Sequence, residues 1–178
     1  MKYFIGYLIE GRAAEWYFNT AKDISDKFNT WKLYEKLPAH VTIFYPFETE
    51  NVGSVGNVVK NWMSNKKVPG NFTISEFDHF DDKVVFVKVD PDKSVRDIVL
   101  ELRGILKEIP GMPEDNFPIW RPHNTLANHL TPEEIKQIWD YVQTLEKPDF
   151  ILPFDNVTIF RFEGDRKWVV QESIKFKS

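Results

Sequence analysis

The stretch RPHNTLANHL (Arg121–Leu130) carries a histidine, a threonine two positions on and an aliphatic residue next, and PAHVTIFYPF (Pro38–Phe47) repeats that order. His40, Thr42 and Ile43 correspond to His123, Thr125 and Leu126, and two of the chain's four histidines stand in this frame. A single His-x-Thr turns up by chance in many proteins. A matched pair needs a structural explanation, and that explanation sets the reading of the chain.

Side chains on a strand alternate faces, so residues two apart point the same way, roughly 6 to 7 Å apart. His40 and Thr42 would then share one face and His123 and Thr125 another, with Val41, Ile43 and Leu126 turned to the opposite side for packing. If the two halves are related by a pseudo-twofold axis, two imidazoles and two hydroxyls converge across a cleft. That set suits cleavage of a phosphodiester at neutral pH. One imidazole takes the proton of the attacking oxygen and the other protonates the leaving oxygen. The threonine hydroxyls donate to the non-bridging oxygens as charge builds up. The catalytic candidates are therefore His40, Thr42, His123 and Thr125.

Outward from the motifs, the chain alternates strands and helices. Tyr3–Ile9 reads as a buried strand, and Ala14, Tyr17, Phe18, Ala21, Ile24 and Phe28 recur at helical spacing. Val55–Met63 is a weaker helix, and FTISEFDHF and VVFVKV flank Asp81-Asp82-Lys83 as a hairpin. Asp90 is the expected N-cap of the next helix, with Pro91 at its first position and a stripe of Val95, Ile98, Val99, Leu102, Ile105 and Leu106. Thr131-Pro132-Glu133-Glu134 has the form of a capping box ahead of Ile135, Ile138, Trp139, Val142 and Leu145. The closing segment predicts a hairpin turning at Glu163-Gly164-Asp165. The order of elements repeats, as expected of one domain over residues 1–178 built from two structural repeats, roughly 1–90 and 91–178.

Composition narrows the function classes. With 178 residues, 42% hydrophobic and 15% aromatic, the chain can fill one core. A net charge of −4 provides no basic face for duplex DNA, so a nucleic-acid partner would be small or gripped at one end. The absence of cysteine removes thiolate chemistry and makes a cytoplasmic setting the default. The apolar run Tyr3–Ile9 is too short for a signal segment and is stopped by Glu10 and Arg12, and nothing reaches membrane-spanning length. A monomer is expected. His123 and His129 lack a third ligand at metal-binding spacing, so no metal or other cofactor is expected.

The motifs HVTI (His40–Ile43) and HNTL (His123–Leu126), about eighty residues apart, resemble those of the 2H phosphoesterase superfamily, which includes bacterial 2′-5′ RNA ligases and cyclic phosphodiesterases. The likeness runs from the first strand through KVVFVKV to the strand bearing Trp168. It implies a bilobed α+β fold, two pseudo-symmetric antiparallel sheets with flanking helices around a central cleft lined by the four motif residues. It also implies metal-independent chemistry on 2′,3′-cyclic phosphates or 2′-5′ linkages, on an RNA end, a cyclic nucleotide or a short oligonucleotide. Asn124 stands where the family usually has an apolar residue, and Asn128 where many members carry arginine. By alternation Arg121 lies on the face of His123 and Thr125 and is the candidate replacement cation. Tyr45, Phe47 and Trp168 are the candidates to stack a base. Removal of cyclic or 2′-5′ oligonucleotide signals would use the same four residues, and a non-catalytic nucleotide-binding module would keep the cleft without needing both histidines.

Overall fold

Strand β1 (Lys2–Leu8) is apolar on both faces, and both faces are covered. After it come α1 (Gly11–Phe28), α2 (Leu33–Lys36), the first motif strand β2 (His40–Glu48), α3 (Val52–Met63), β3 (Asn71–Phe80), β4 (Val84–Pro91) and α4 (Lys93–Lys107). The second motif strand β5 (His123–Asn128), α5 (Pro132–Val142), β6 (Phe150–Pro153), β7 (Asn156–Gly164) and β8 (Lys167–Lys175) complete the order. The computed structural model describes residues 1–80, 83–113 and 119–177. No helix among them is long and apolar enough to cross a membrane.

Two four-stranded antiparallel sheets form, β2-β1-β7-β8 and β5-β4-β3-β6. The expected α+β architecture of two antiparallel sheets with flanking helices is the observed one. The first sheet joins strands from the two ends of the chain and the second is built from the middle, residues 71–153, so neither residues 1–90 nor residues 91–178 make a lobe alone. The helices are exchanged as well. α1 lays Trp16 against Phe77 of β3 and Phe150 of β6, while α3 brings Gly56 and Lys60 to Glu172 of β8. Thus α1 and α5 back the second sheet, and α3 and α4 contact the first. This exchange threads one buried cluster through both lobes, from Ile5 and Val41 to Val87, Leu102 and Ile138. Burial of that continuous apolar surface is the main driving force holding the lobes together. The motif strands β2 and β5 are edge strands that meet at the junction.

Local signals explain most boundaries. α1 ends at Asn29, whose left-handed φ of 52° lets its N–H reach Ser25 O. The capping box forms as read: Thr131 Oγ1 accepts from Glu134 N–H, and Glu134 Oε2 accepts from Thr131 N–H at 2.7 Å. Other expectations are corrected. Asp90 does not cap α4, because Asp90 and Pro91 continue β4 by pairing with Thr73 and Phe72, and the helix begins at Lys93. The ladder holds the backbone extended for two residues beyond the point where propensity alone would turn it. Phe18 is exposed, since Ala13, Tyr17, Ala21 and Ile24 form the buried face of α1. The closing hairpin turns at Asp165-Arg166, both at positive φ between the paired Gly164 and Lys167, one residue beyond the expected centre. Asp81 and Asp82 of the predicted β3–β4 turn lie outside the described residues.

Candidate active site

Both motif strands follow the same burial rhythm. His40 and Thr42 share one face, Val41 and Ile43 are buried on the other, and Asn124 and Leu126 are buried behind His123 and Thr125. Each strand then breaks its alternation at a bulge. β1 pairs Gly6 with Thr42 and Ile5 with Phe44, skipping Ile43, and β4 pairs Phe86 with Thr125 and Val85 with Ala127, skipping Leu126. Consequently Phe44 and Ala127 also point into the core, and the fifth residue after each histidine, Tyr45 and Asn128, returns to the histidine face.

The edge strands are pinned across the junction. Trp120 Nε1 donates to Thr42 O at 2.8 Å, and His40 N–H donates to Asn124 Oδ1 at a longer 3.4 Å. A polar residue at 124 is thereby explained: its buried amide accepts from the first residue of the opposite motif. An apolar side chain there could not.

The imidazoles are held alike. His40 Nδ1 lies 2.8 Å from Pro38 O, and His123 Nδ1 lies 2.8 Å from Arg121 O. A carbonyl only accepts, so in each ring Nδ1 carries the hydrogen and Nε2 is left to gain or lose a proton. Each ring also rests on two phenylalanines of its own sheet. His40 lies against Phe4 and Phe160 at centroid distances of 4.9 and 5.5 Å, and His123 against Phe80 and Phe86 at 5.1 and 5.0 Å. Those apolar floors disfavour the charged form. Burial pushes His40 down to about 4, against the Pro38 hydrogen bond that favours its charge, and a charge on His123 lowers it further. His123, more open, is lowered by burial from the same kind of cause.

The candidate substrate-binding residues divide. Arg121 and His123 line a pocket of about 260 Å³ with Phe80, Phe86, Lys88 and Trp120. Tyr45 stands on the His40 face, and Trp168 packs on Phe4, 4.9 Å from its ring, beside His40. Phe47 is not a cleft residue. It is buried against Tyr3 and Phe44 in the core, because a second irregularity before it turns its ring away from the His40 face. His79 packs on Trp139 of α5, and His129 on Trp31, so neither ring joins the motif pair. Among the described residues no three His, Cys, Asp or Glu side chains are grouped to hold a metal ion. Sequence reading missed Phe4, Phe80, Phe86 and Phe160, the floors of the imidazoles. Their alternation along the non-motif strands was the available signal, but it is indistinguishable from ordinary core packing.

The geometry is matched by known proteins. The model of the 2'-5' RNA ligase superfamily matches residues 12–166. The chain belongs to that superfamily. A Staphylococcus aureus (strain JH1) relative named "Putative phosphoesterase" is 28% identical over 149 residues, covering 81% of this chain and 84% of that protein. Escherichia coli LigT complexed with 3'-AMP has the same fold, with a TM-score of 0.66 at 14% identity over 99% of this chain and 98% of that one. TT0787 of Thermus thermophilus superposes with a TM-score of 0.61 at 13% identity, with coverage of 99% and 98%. Within the superfamily's fold, this member places a buried asparagine behind its second motif and a neutral Asn128 beyond it.

Proposed function

We propose that the protein is a phosphodiesterase that opens 2′,3′-cyclic phosphate or 2′-5′ phosphodiester bonds of RNA ends or small nucleotides without a metal ion. The observation that carries this reading is the matched pair of imidazoles, each with Nδ1 tied to a carbonyl two residues back and each on an apolar floor. In hydrolysis of a cyclic phosphate, His40 Nε2 takes a proton from the attacking water as the new P–O bond forms. His123 Nε2 gives its proton to the ribose oxygen that leaves. The assignment follows burial: His40, more deeply enclosed, stays neutral, and the first proton goes to the more open His123. A charge on one ring discourages a charge on the other, which widens the range in which the pair holds one proton. Thr42 and Thr125 donate to the non-bridging oxygens. LigT complexed with 3'-AMP supports a nucleotide as a ligand suited to this fold.

Assay of nucleoside 2′,3′-cyclic phosphates, 2′-5′ dinucleotides and cyclic dinucleotides in excess chelator tests the reading. Turnover of at least one of them is expected to survive, with a bell-shaped dependence of kcat/KM on pH. His40→Ala and His123→Ala should each lower kcat by at least ~10²-fold. Activity lost in chelator and restored by a divalent cation would overturn the metal-free mechanism. Unchanged turnover in both variants would move the chemistry away from these residues.

A further inference from the structure

We infer that the pocket beside His123 is a second-phosphate subsite, which takes the 5′-phosphate of the ribose whose 2′,3′-phosphate reacts. The inference rests on the proposed reaction, since it is the reacting phosphate that places a ribose against His123. His123 forms part of the pocket wall, so what fills the pocket is the portion of substrate next to the reacting group. The volume, about 260 Å³, equals the share of roughly nine liquid waters, enough for a sugar-phosphate fragment and too little for a long oligonucleotide.

Charge selects the fragment. Of the lining residues, Lys88 is committed to Glu76 and Asp78 at 3.3 and 3.5 Å. Arg96 and Arg121 have no ion-pair partner among the described residues, and Asp90 is the one remaining carboxylate of the lining. Two unpaired guanidinium groups in one pocket run against the chain's net charge of −4. Arg96 is also placed: its guanidinium lies 5.8 Å from the Trp120 ring, and Trp120 is buried and hydrogen-bonded to Thr42 O. A guanidinium set by a fixed ring loses less freedom on binding and presents a planar fork matched to phosphate oxygens.

The experiment compares kcat/KM for adenosine 2′,3′-cyclic phosphate with and without a 5′-phosphate, in wild type and in Arg96→Gln, Arg121→Gln and the double variant. Because the ratio is taken within each protein, a loss of folded fraction cancels. The 5′-phosphate is expected to raise kcat/KM ~10-fold or more, the scale of a charge-assisted hydrogen bond. That preference should shrink as salt rises and approach one in the double variant. A ratio near one in wild type, or an undiminished ratio in the double variant, overturns the subsite. If neither compound is turned over, the proposed reaction fails separately. Calorimetric binding of adenosine 3′,5′-bisphosphate against adenosine 3′-monophosphate then reads the same ratio, and equal or absent binding overturns the subsite.

Discussion

Thr42 and Thr125 share the faces of His40 and His123, half-buried, each one pleat beyond its imidazole. Valine keeps the shape of threonine and removes the hydroxyl. Thr42→Val and Thr125→Val are therefore expected to lower kcat by roughly 10- to 10³-fold while leaving the limbs of the pH profile in place, as steady-state kinetics across pH would show. Full kcat in both would remove the hydroxyls from the reaction. Asn124 acts differently, because its amide oxygen serves the backbone N–H of His40 and not a substrate. Asn124→Leu restores an apolar residue behind the strand but strands that donor. At 3.4 Å the lost bond is a weak one, so a loss of about 1 kcal/mol in urea denaturation is expected, at the low end for an unsatisfied buried donor. Stability equal to wild type would show that the contact contributes nothing.

At the scale of elements, the bulges in β2 and β5 decide which side chains reach the cleft. Strict alternation describes the first four residues of each motif correctly and fails at the fifth and sixth, where an extra residue in the ladder turns Phe44 and Ala127 into the core and delivers Tyr45 and Asn128 to the cleft face; a second irregularity in β2 then returns Phe47 to the core. Pairing of β1 with β2 also depends on Gly6, opposite Thr42. A Cβ there would lie 2.8 Å from Val41 O and 3.2 Å from the Phe160 ring, so the backbone between His40 and Thr42 would have to move. Gly6→Ala is expected to destabilise by about 1–3 kcal/mol, as overpacking does. Its kcat should fall further than the folded fraction explains, because the displaced atoms belong to the motif strand. Denaturation and kinetics on the same sample separate the two effects, and a kcat that merely tracks the folded fraction would refute the second.

For the whole molecule, the apolar floors link the candidate site to stability. Burial lowers the proton affinity of both imidazoles, so the unfolded chain binds protons that the folded chain refuses. Above the ordinary histidine value near 6.5 both states are neutral and nothing is lost. As pH falls from about 6.5 towards 4, stability declines, and His40 alone accounts for roughly 3 kcal/mol at the lower end. Urea midpoints at several pH values should show this fall, reduced in His40→Gln, which lacks the titrating ring; equal slopes in both proteins would contradict the burial argument. The same apolar surroundings that lower acid stability keep a neutral base available at the proposed reaction pH.

The sequence by itself determined the local features: the order of strands and helices apart from the short α2 and β6, the capping box at Thr131, and the two-residue spacing that puts His40 with Thr42 and His123 with Thr125. These follow from side-chain periodicity and short-range hydrogen bonds, which need only a few neighbouring residues. Tertiary structure alone decided what depends on partners distant in the chain. The ladder to Thr73 and Phe72 kept Asp90 and Pro91 in a strand, the pairing of β1 with β7 joined the two ends of the chain in one sheet and left residues 71–153 to build the other, and the meeting of β2 with β5 brought Asn124 to His40 and Trp120 to Thr42. The pocket beside His123 is of the same kind, since Lys88, Arg96 and Arg121 come from three different elements or loops and acquire a common function only once the second sheet has closed against the junction. Such contacts are selected by the competition among whole packings, in which burial of one continuous core outweighs the local preference of any single segment.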